Sequence, residues 1–218
     1  DKPLGEHHKR HSNATPVLGG LAMMIGWWIT LGGGLAIARF CSSWLPEEVA
    51  SYLQGIDSVW RPLLVIAIGA TSLGCMGMLD DRSPLGPFVK LFLQALICGI
   101  VVLYPNLRVT LFYNHPVLTW GMTLAWFLFI INAFNFFDNM DGLASGIACI
   151  AATLFALAAG IRGQFFVAAL AMATAGAALG FYLHNKAPAS IFMGDSGSHF
   201  LGFMLATLAT LTNYYNTN

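Results

Sequence analysis

Five aspartates fall in three short motifs rich in glycine or asparagine. Asp80 and Asp81 lie in GMLDDR, Asp138 and Asp141 in NAFNFFDNMDG, and Asp195 in FMGDSGS. Each motif borders a long apolar run, and ionisable groups at such borders are costly unless paired or functional. Brought together, the carboxylates would repel and raise one another's pKa unless a cation joined them. All-oxygen donors with no Cys or His partner favour Mg²⁺ or Mn²⁺ over zinc. Mg²⁺ usually takes one or two carboxylates and leaves its other positions to water and phosphate oxygens. The chemistry expected is therefore that of a phosphorylated substrate. Gly194 and Gly197 would let the backbone approach a ligand closely. A helix opening at Asp195–Ser198 would offer free N–H groups to an anion, unless Asp195 or Ser196 serves only as its cap.

Long apolar elements must position these residues. The chain has 218 residues, 57% of them hydrophobic and 9% charged, with a net charge of zero. Soluble domains carry about 25% charged residues, and disorder needs low hydrophobicity with high net charge; both classes are excluded. A pI near 7.2 argues against a nucleic-acid binder, which would carry a basic face. Apolar runs matching the roughly 20 residues a bilayer core demands lie at 17–40, 60–79, 88–105, 117–137, 142–161, 164–184 and 196–213. The expected fold is all-α, a polytopic transmembrane helical bundle of about seven spans, forming a single integral-membrane domain over residues 1–218. Gly32, Gly33, Gly34 and the stretch Ala171–Gly180 are expected to pack helices closely. Cys41, Cys75, Cys98 and Cys149 are scattered with no CxxC pair and read as small core residues.

Seven spans place the connecting segments alternately on two faces. One face receives 1–16 and the loops near 80–87, 138–141 and 185–195. Six of the ten Lys and Arg fall there, a weak vote for a cytoplasmic face. Seven of the ten acids fall there too, and because acids contribute little to orientation, that asymmetry calls for a chemical explanation. On the same face, HHKRHSNATP gathers Lys9, Arg10 and His11. This stretch reads either as a juxtamembrane anchor on anionic lipid heads or as a phosphate-binding arm facing the acids.

Taken in order, DKP…KRH…TPVLGG, GMLDDR…K, NAFNFFDNMDGLASG and FMGDSGS resemble the polyprenyl-phosphate N-acetylhexosamine-1-phosphate transferases. Asp80-Asp81-Arg82 followed by Lys90 and Gln94 is closer to the GlcNAc-1-phosphate branch than to the phospho-N-acetylmuramoyl-pentapeptide branch. The resemblance implies a multi-pass enzyme of the bacterial inner membrane with its site on the cytoplasmic face. Such an enzyme moves a sugar 1-phosphate from a UDP-N-acetylhexosamine to undecaprenyl phosphate and releases UMP. It further implies Asp195 as the Mg²⁺ ligand assisted by Asn135, and Asp80 and Asp81 at the acceptor phosphate, one of them as base. Lys90 would neutralise phosphate charge, and Asp138 and Asp141 would line the nucleotide-sugar pocket. Asn185 and Phe192 would face the uracil, and Lys9 and His11 would contact substrate. A homodimer is compatible with this reading, and a chain truncated at both ends is expected. The family pattern has glycine where this chain has Asn139, and asparagine suits the left-handed turn expected there. From another class, a cation transporter would use the same acids to coordinate its ion, although no internal repeat supports it.

Overall fold

The computed structural model describes residues 15–41, 56–108 and 115–214; Lys9 and His11 lie outside them. Among the described residues there are seven α-helices: α1 (Gly19–Phe40), α2 (Ile56–Arg82), α3 (Pro87–Val101), α4 (Pro116–Phe137), α5 (Leu143–Ile161), α6 (Phe165–Asn185) and α7 (Gly194–Tyr214), with a 3-10 turn at Pro105–Leu107. Each expected span coincides with one helix. Five of them, α1, α2, α4, α5 and α6, are long and apolar enough to cross a bilayer. With 15 residues, α3 measures only ~22 Å at 1.5 Å per residue. Pro87 and Pro116 open α3 and α4 at a position where a missing N–H costs nothing.

The seventh helix differs in kind, because α7 is the central column of the bundle. It packs against α1, α2, α4, α5 and α6, and Phe200, Leu201, Phe203, Met204, Leu208 and Leu211 along it are buried. A helix sheathed by other helices meets side chains rather than lipid, so it tolerates the Ser, His and Thr residues that lower its hydropathy. Around it α5 and α6 form an antiparallel hairpin turned at Gly163, whose φ is 71°. Trp27 of α1 is fully buried, donates from Nε1 to Thr174 Oγ1 on α6 at 3.3 Å, and meets Phe200 of α7 edge-on with ring centroids 5.7 Å apart. The outer surface exposes Ile29, Ile68, Phe92, Phe129, Ile150 and Leu183, an apolar coat suited to lipid rather than water. The protein is a multi-pass helical membrane protein.

Two packing expectations change. A side chain added at Gly32, Gly33 or Gly34 would meet nothing within 4 Å among the described residues, nor would one at Gly176 or Gly180; the stretch Ala171–Gly180 packs instead through its buried Ala171, Ala173, Ala175 and Ala178. Close helix approach falls instead at Gly20, Gly77, Gly197 and Gly202, where an added Cβ would collide with neighbouring chain. Of the cysteines, Cys98 is buried, Cys41 and Cys149 are partly covered, and Cys75 is exposed on the surface.

Candidate active site

The site is built on the first turn of α7, where a helix would normally leave its leading N–H groups unpaired. Here protein carboxylates take them. The Asp195 N–H donates to Asp81 Oδ1 at 2.8 Å and the Ser196 N–H to Asp81 Oδ2 at 3.3 Å, while the Gly194 N–H favours the charged form of Asp138. The expectation of free N–H groups awaiting a ligand anion is thereby corrected. The anions that complement the helix dipole are Asp81 and Asp138, from the ends of α2 and α4, and the cap is supplied by a different helix. Gly77, one turn before Asp81, permits this approach, because a Cβ there would run into the backbone of Asp195 and Ser196.

Lys90 occupies the centre. Its Nζ lies 3.0 Å from Asp80 Oδ2, pairs with Asp195 Oδ2, and reaches Asn135 Oδ1 at 3.5 Å. Asn135 Nδ2 donates to Asp195 Oδ1 at 2.5 Å and to Ser198 Oγ at 3.1 Å. Asp80 is 9% exposed, and its other oxygen accepts the Leu85 N–H at 2.5 Å. Four helices therefore converge through four side chains: Asp80 from α2, Lys90 from α3, Asn135 from α4 and Asp195 from α7. An ammonium between two acids offsets the repulsion that their proximity creates.

Around this centre the loops are tied down. Asp141 Oδ2 accepts the Ala189 N–H at 3.1 Å. Asn185 is 3% exposed, and its Oδ1 accepts from the Gly142 N–H at 3.0 Å and Ser145 Oγ at 3.2 Å, while its Nδ2 donates to the Ile191 carbonyl at 3.0 Å. It braces the loop before α5 against the loop before α7. Phe192 is half-buried; its carbonyl accepts the Gly19 N–H at 3.0 Å and its N–H donates to the Pro16 carbonyl at 2.9 Å, seating α1 beside the site. Asn139 is not left-handed, since no described non-glycine residue has positive φ; the turn is made by Gly142 at φ 75°, and Asn139 Nδ2 donates to the Phe136 carbonyl at 2.8 Å. Asp138 is half-buried at the loop, and its pKa is pushed up to about 7. Burial is the largest cause, the charges of Asp195, Asp81 and Asp141 add to it, and the Gly194 N–H opposes it.

The donor set suits a hard divalent cation. Asp195 Oδ2 and Asn135 Oδ1 both face the Lys90 ammonium, and among the described residues no group of three His, Cys, Asp or Glu is placed to hold a metal ion. Four residues around the centre were not among the expected site residues: Ser198, Gln94, His199 and Asn132. Their signal was helical spacing, four positions after Lys90 and Asp195 for Gln94 and His199 and three before Asn135 for Asn132.

Residues 63–213 match the model of the family described as "Glycosyl transferase family 4". The chain is 32% identical over 223 residues to a probable undecaprenyl-phosphate N-acetylglucosaminyl 1-phosphate transferase of Bacillus subtilis, an alignment covering 98% of this chain and 55% of that protein. It is 31% identical over 224 residues to the phospho-N-acetylmuramoyl-pentapeptide-transferase of Geobacillus kaustophilus, covering 94% of this chain and 63% of the relative. Against a decaprenyl-phosphate N-acetylglucosaminephosphotransferase of Mycolicibacterium smegmatis the identity is 34% over 217 residues, covering 92% and 50% respectively. The chain thus spans between half and two thirds of the length of these curated relatives. With the family model running from α2 to the end of α7, the chain belongs to glycosyl transferase family 4.

Proposed function

We propose that this protein transfers N-acetylhexosamine-1-phosphate, in the main reading GlcNAc-1-phosphate, from a UDP-sugar to undecaprenyl phosphate, as a lipid-linked step of cell-envelope polysaccharide synthesis. The observation that carries the proposal is the Lys90 ammonium held between Asp80 and Asp195 beside Asn135, at the end of a lipid-facing bundle. A site joining a membrane-borne phosphate to a water-borne diphosphate belongs there, and the proposed face is the cytoplasmic one of the bacterial inner membrane. In the reaction, an oxygen of the lipid phosphate attacks the sugar-bearing phosphorus. The bond from that phosphorus to the bridging oxygen breaks, and UMP leaves with the electron pair.

Phosphoryl transfer of this kind needs alignment and charge neutralisation more than covalent help. A phosphomonoester loses its second proton near pH 6, so the acceptor is already largely dianionic and needs no strong base. The carboxylates support direct attack over a covalent Asp intermediate: both oxygens of Asp81 accept N–H groups of α7, and those of Asp80 are held by Leu85 and Lys90. Lys90 holds positive charge where phosphate charge gathers. Asp195 and Asn135 would hold Mg²⁺, which when bound neutralises and orients diphosphate oxygens. Asp138, Asp141 and Phe192 line the proposed nucleotide-sugar side, with Asn185 behind them as a brace.

The relatives include a pentapeptide transferase as well as GlcNAc-phosphate transferases, so the donor panel must separate the two. The transporter reading finds no support in the family match. The test is UMP release by the full-length protein from UDP-GlcNAc, UDP-GalNAc or UDP-N-acetylmuramoyl-pentapeptide with undecaprenyl phosphate, with Mg²⁺ or with EDTA. UMP release with UDP-GlcNAc is expected, abolished by EDTA and reduced on the order of 100-fold or more in Asp195→Asn. Unchanged turnover in that variant would sink the assignment of Asp195.

A further inference from the structure

One helical turn beneath the Lys90 centre lies a second polar layer that the proposed chemistry does not use. Gln94 follows Lys90 by four positions on α3, His199 follows Asp195 by four on α7, and Asn132 precedes Asn135 by three on α4. These spacings stack side chains on the same helix faces. Gln94 and His199 are wholly buried.

The hydrogen-bond directions in this layer follow from one backbone group. The Leu128 carbonyl can only accept, and Asn132 Nδ2 lies 2.8 Å from it, so the Asn132 amide is oriented with its nitrogen toward that carbonyl. The same nitrogen lies 2.8 Å from Gln94 Oε1, which must therefore be the acceptor. Gln94 Nε2 is then left facing His199 Nε2 at 3.0 Å. An amide nitrogen only donates, so His199 Nε2 must be the unprotonated acceptor. The ring is consequently the neutral imidazole with its proton on Nδ1, an atom that has no partner among the described residues. An imidazolium would set two donors against each other, and would also add a second positive charge beneath Lys90.

We infer that Asn132, Gln94 and His199 are positioning residues. Their directed hydrogen-bond chain locks α3, α4 and α7 in the register that brings Lys90, Asn135 and Asp195 together, with His199 fixed as the Nδ1–H tautomer. Polar side chains within a bilayer are costly and normally serve a site; leucine at 199 would satisfy packing alone. The kinetic part of this inference rests on the transferase reading, whereas the tautomer does not.

The test uses the full-length protein in two measurements. Nitrogen-15 spectra of labelled histidine, with His199→Gln identifying the resonances, should show His199 as the neutral Nδ1–H form at neutral pH. In turnover of UDP-GlcNAc, His199→Leu should lower kcat per folded molecule about tenfold or more, since small misplacements of reacting groups carry such losses, with KM within about twofold. His199→Gln, whose Oε1 can accept from Gln94, should recover most of that loss. Adding Gln94→Leu to His199→Leu should cost little beyond the single change, as expected of coupled partners. An Nε2–H tautomer, or a kcat per folded molecule unchanged in His199→Leu, would overturn the inference. An unaltered protein that releases no UMP would overturn the transferase reading instead, and the tautomer would then decide the hydrogen-bonded layer alone.

Discussion

Asp138 carries a conflict between stability and placement. The first N–H of α7 favours its charged form, yet burial and three neighbouring acids push its pKa from 3.8 to about 7. An acid whose folded pKa is raised binds its proton more tightly in the folded state, so it lowers stability only once pH exceeds the unfolded value. The penalty is absent near pH 4, grows through the interval to 7, and is complete above it. Asp138→Asn keeps an oxygen for the Gly194 N–H and removes the charge. In metal-free buffer the variant should melt with the unaltered protein at pH 4 and at a higher temperature at pH 8. Equal melting temperatures at both pH values would show that the carboxyl is not held in this way.

The elements meet at glycines whose effect depends on what faces them. Gly77 faces backbone of α7, which cannot move aside as a side-chain tip can. Gly77→Ala should therefore push α2 off α7 and cost about 1–3 kcal/mol, the usual penalty for overpacking. It should also reduce turnover sharply, because Asp80 and Asp81 follow within four residues on the same helix and ride with it. Gly33→Ala is the control: nothing lies within 4 Å of the added carbon, and alanine is favoured over glycine in a helix by up to ~1 kcal/mol. Thermal melting and UMP release of the two variants check both halves. A Gly77→Ala protein as stable and active as Gly33→Ala would contradict the close approach.

For the molecule as a whole, the proposed transferase reading predicts a sidedness. The loop at Ser83 lies at the site end of the bundle and the turn at Gly163 at the other, since α5 and α6 cross from one to the other. In a cysteine-free background, Ser83→Cys should react with a membrane-impermeant maleimide only from the cytoplasmic side. Gly163→Cys should react only from the opposite side. Labelling in the reverse pattern would place the acids on the wrong face for a water-borne nucleotide sugar from the cytoplasm.

Much of this was legible in the chain. Long apolar runs located the helices because a bilayer imposes both the length and the composition of a span, and alternation along the chain put the motif aspartates on one face. What the sequence could not show was which glycines lie at helix contacts. Gly33 and Gly77 look alike in apolar sequence, and only the neighbour across the interface distinguishes them. Nor could it show that Asp81 caps α7, because a cap from another helix leaves no local spacing signal. Nor does the sequence show that Asn185, expected at the uracil, also has its amide bonded on both sides within the protein. The chain by itself determined which residues are present, their helical period and the end of the bundle they share. Tertiary structure alone decided their partners, the central place of α7 and the tautomer of His199. Those depend on distances between residues far apart in the chain, like Asp81 and Asp195 at 114 positions, which no local pattern encodes.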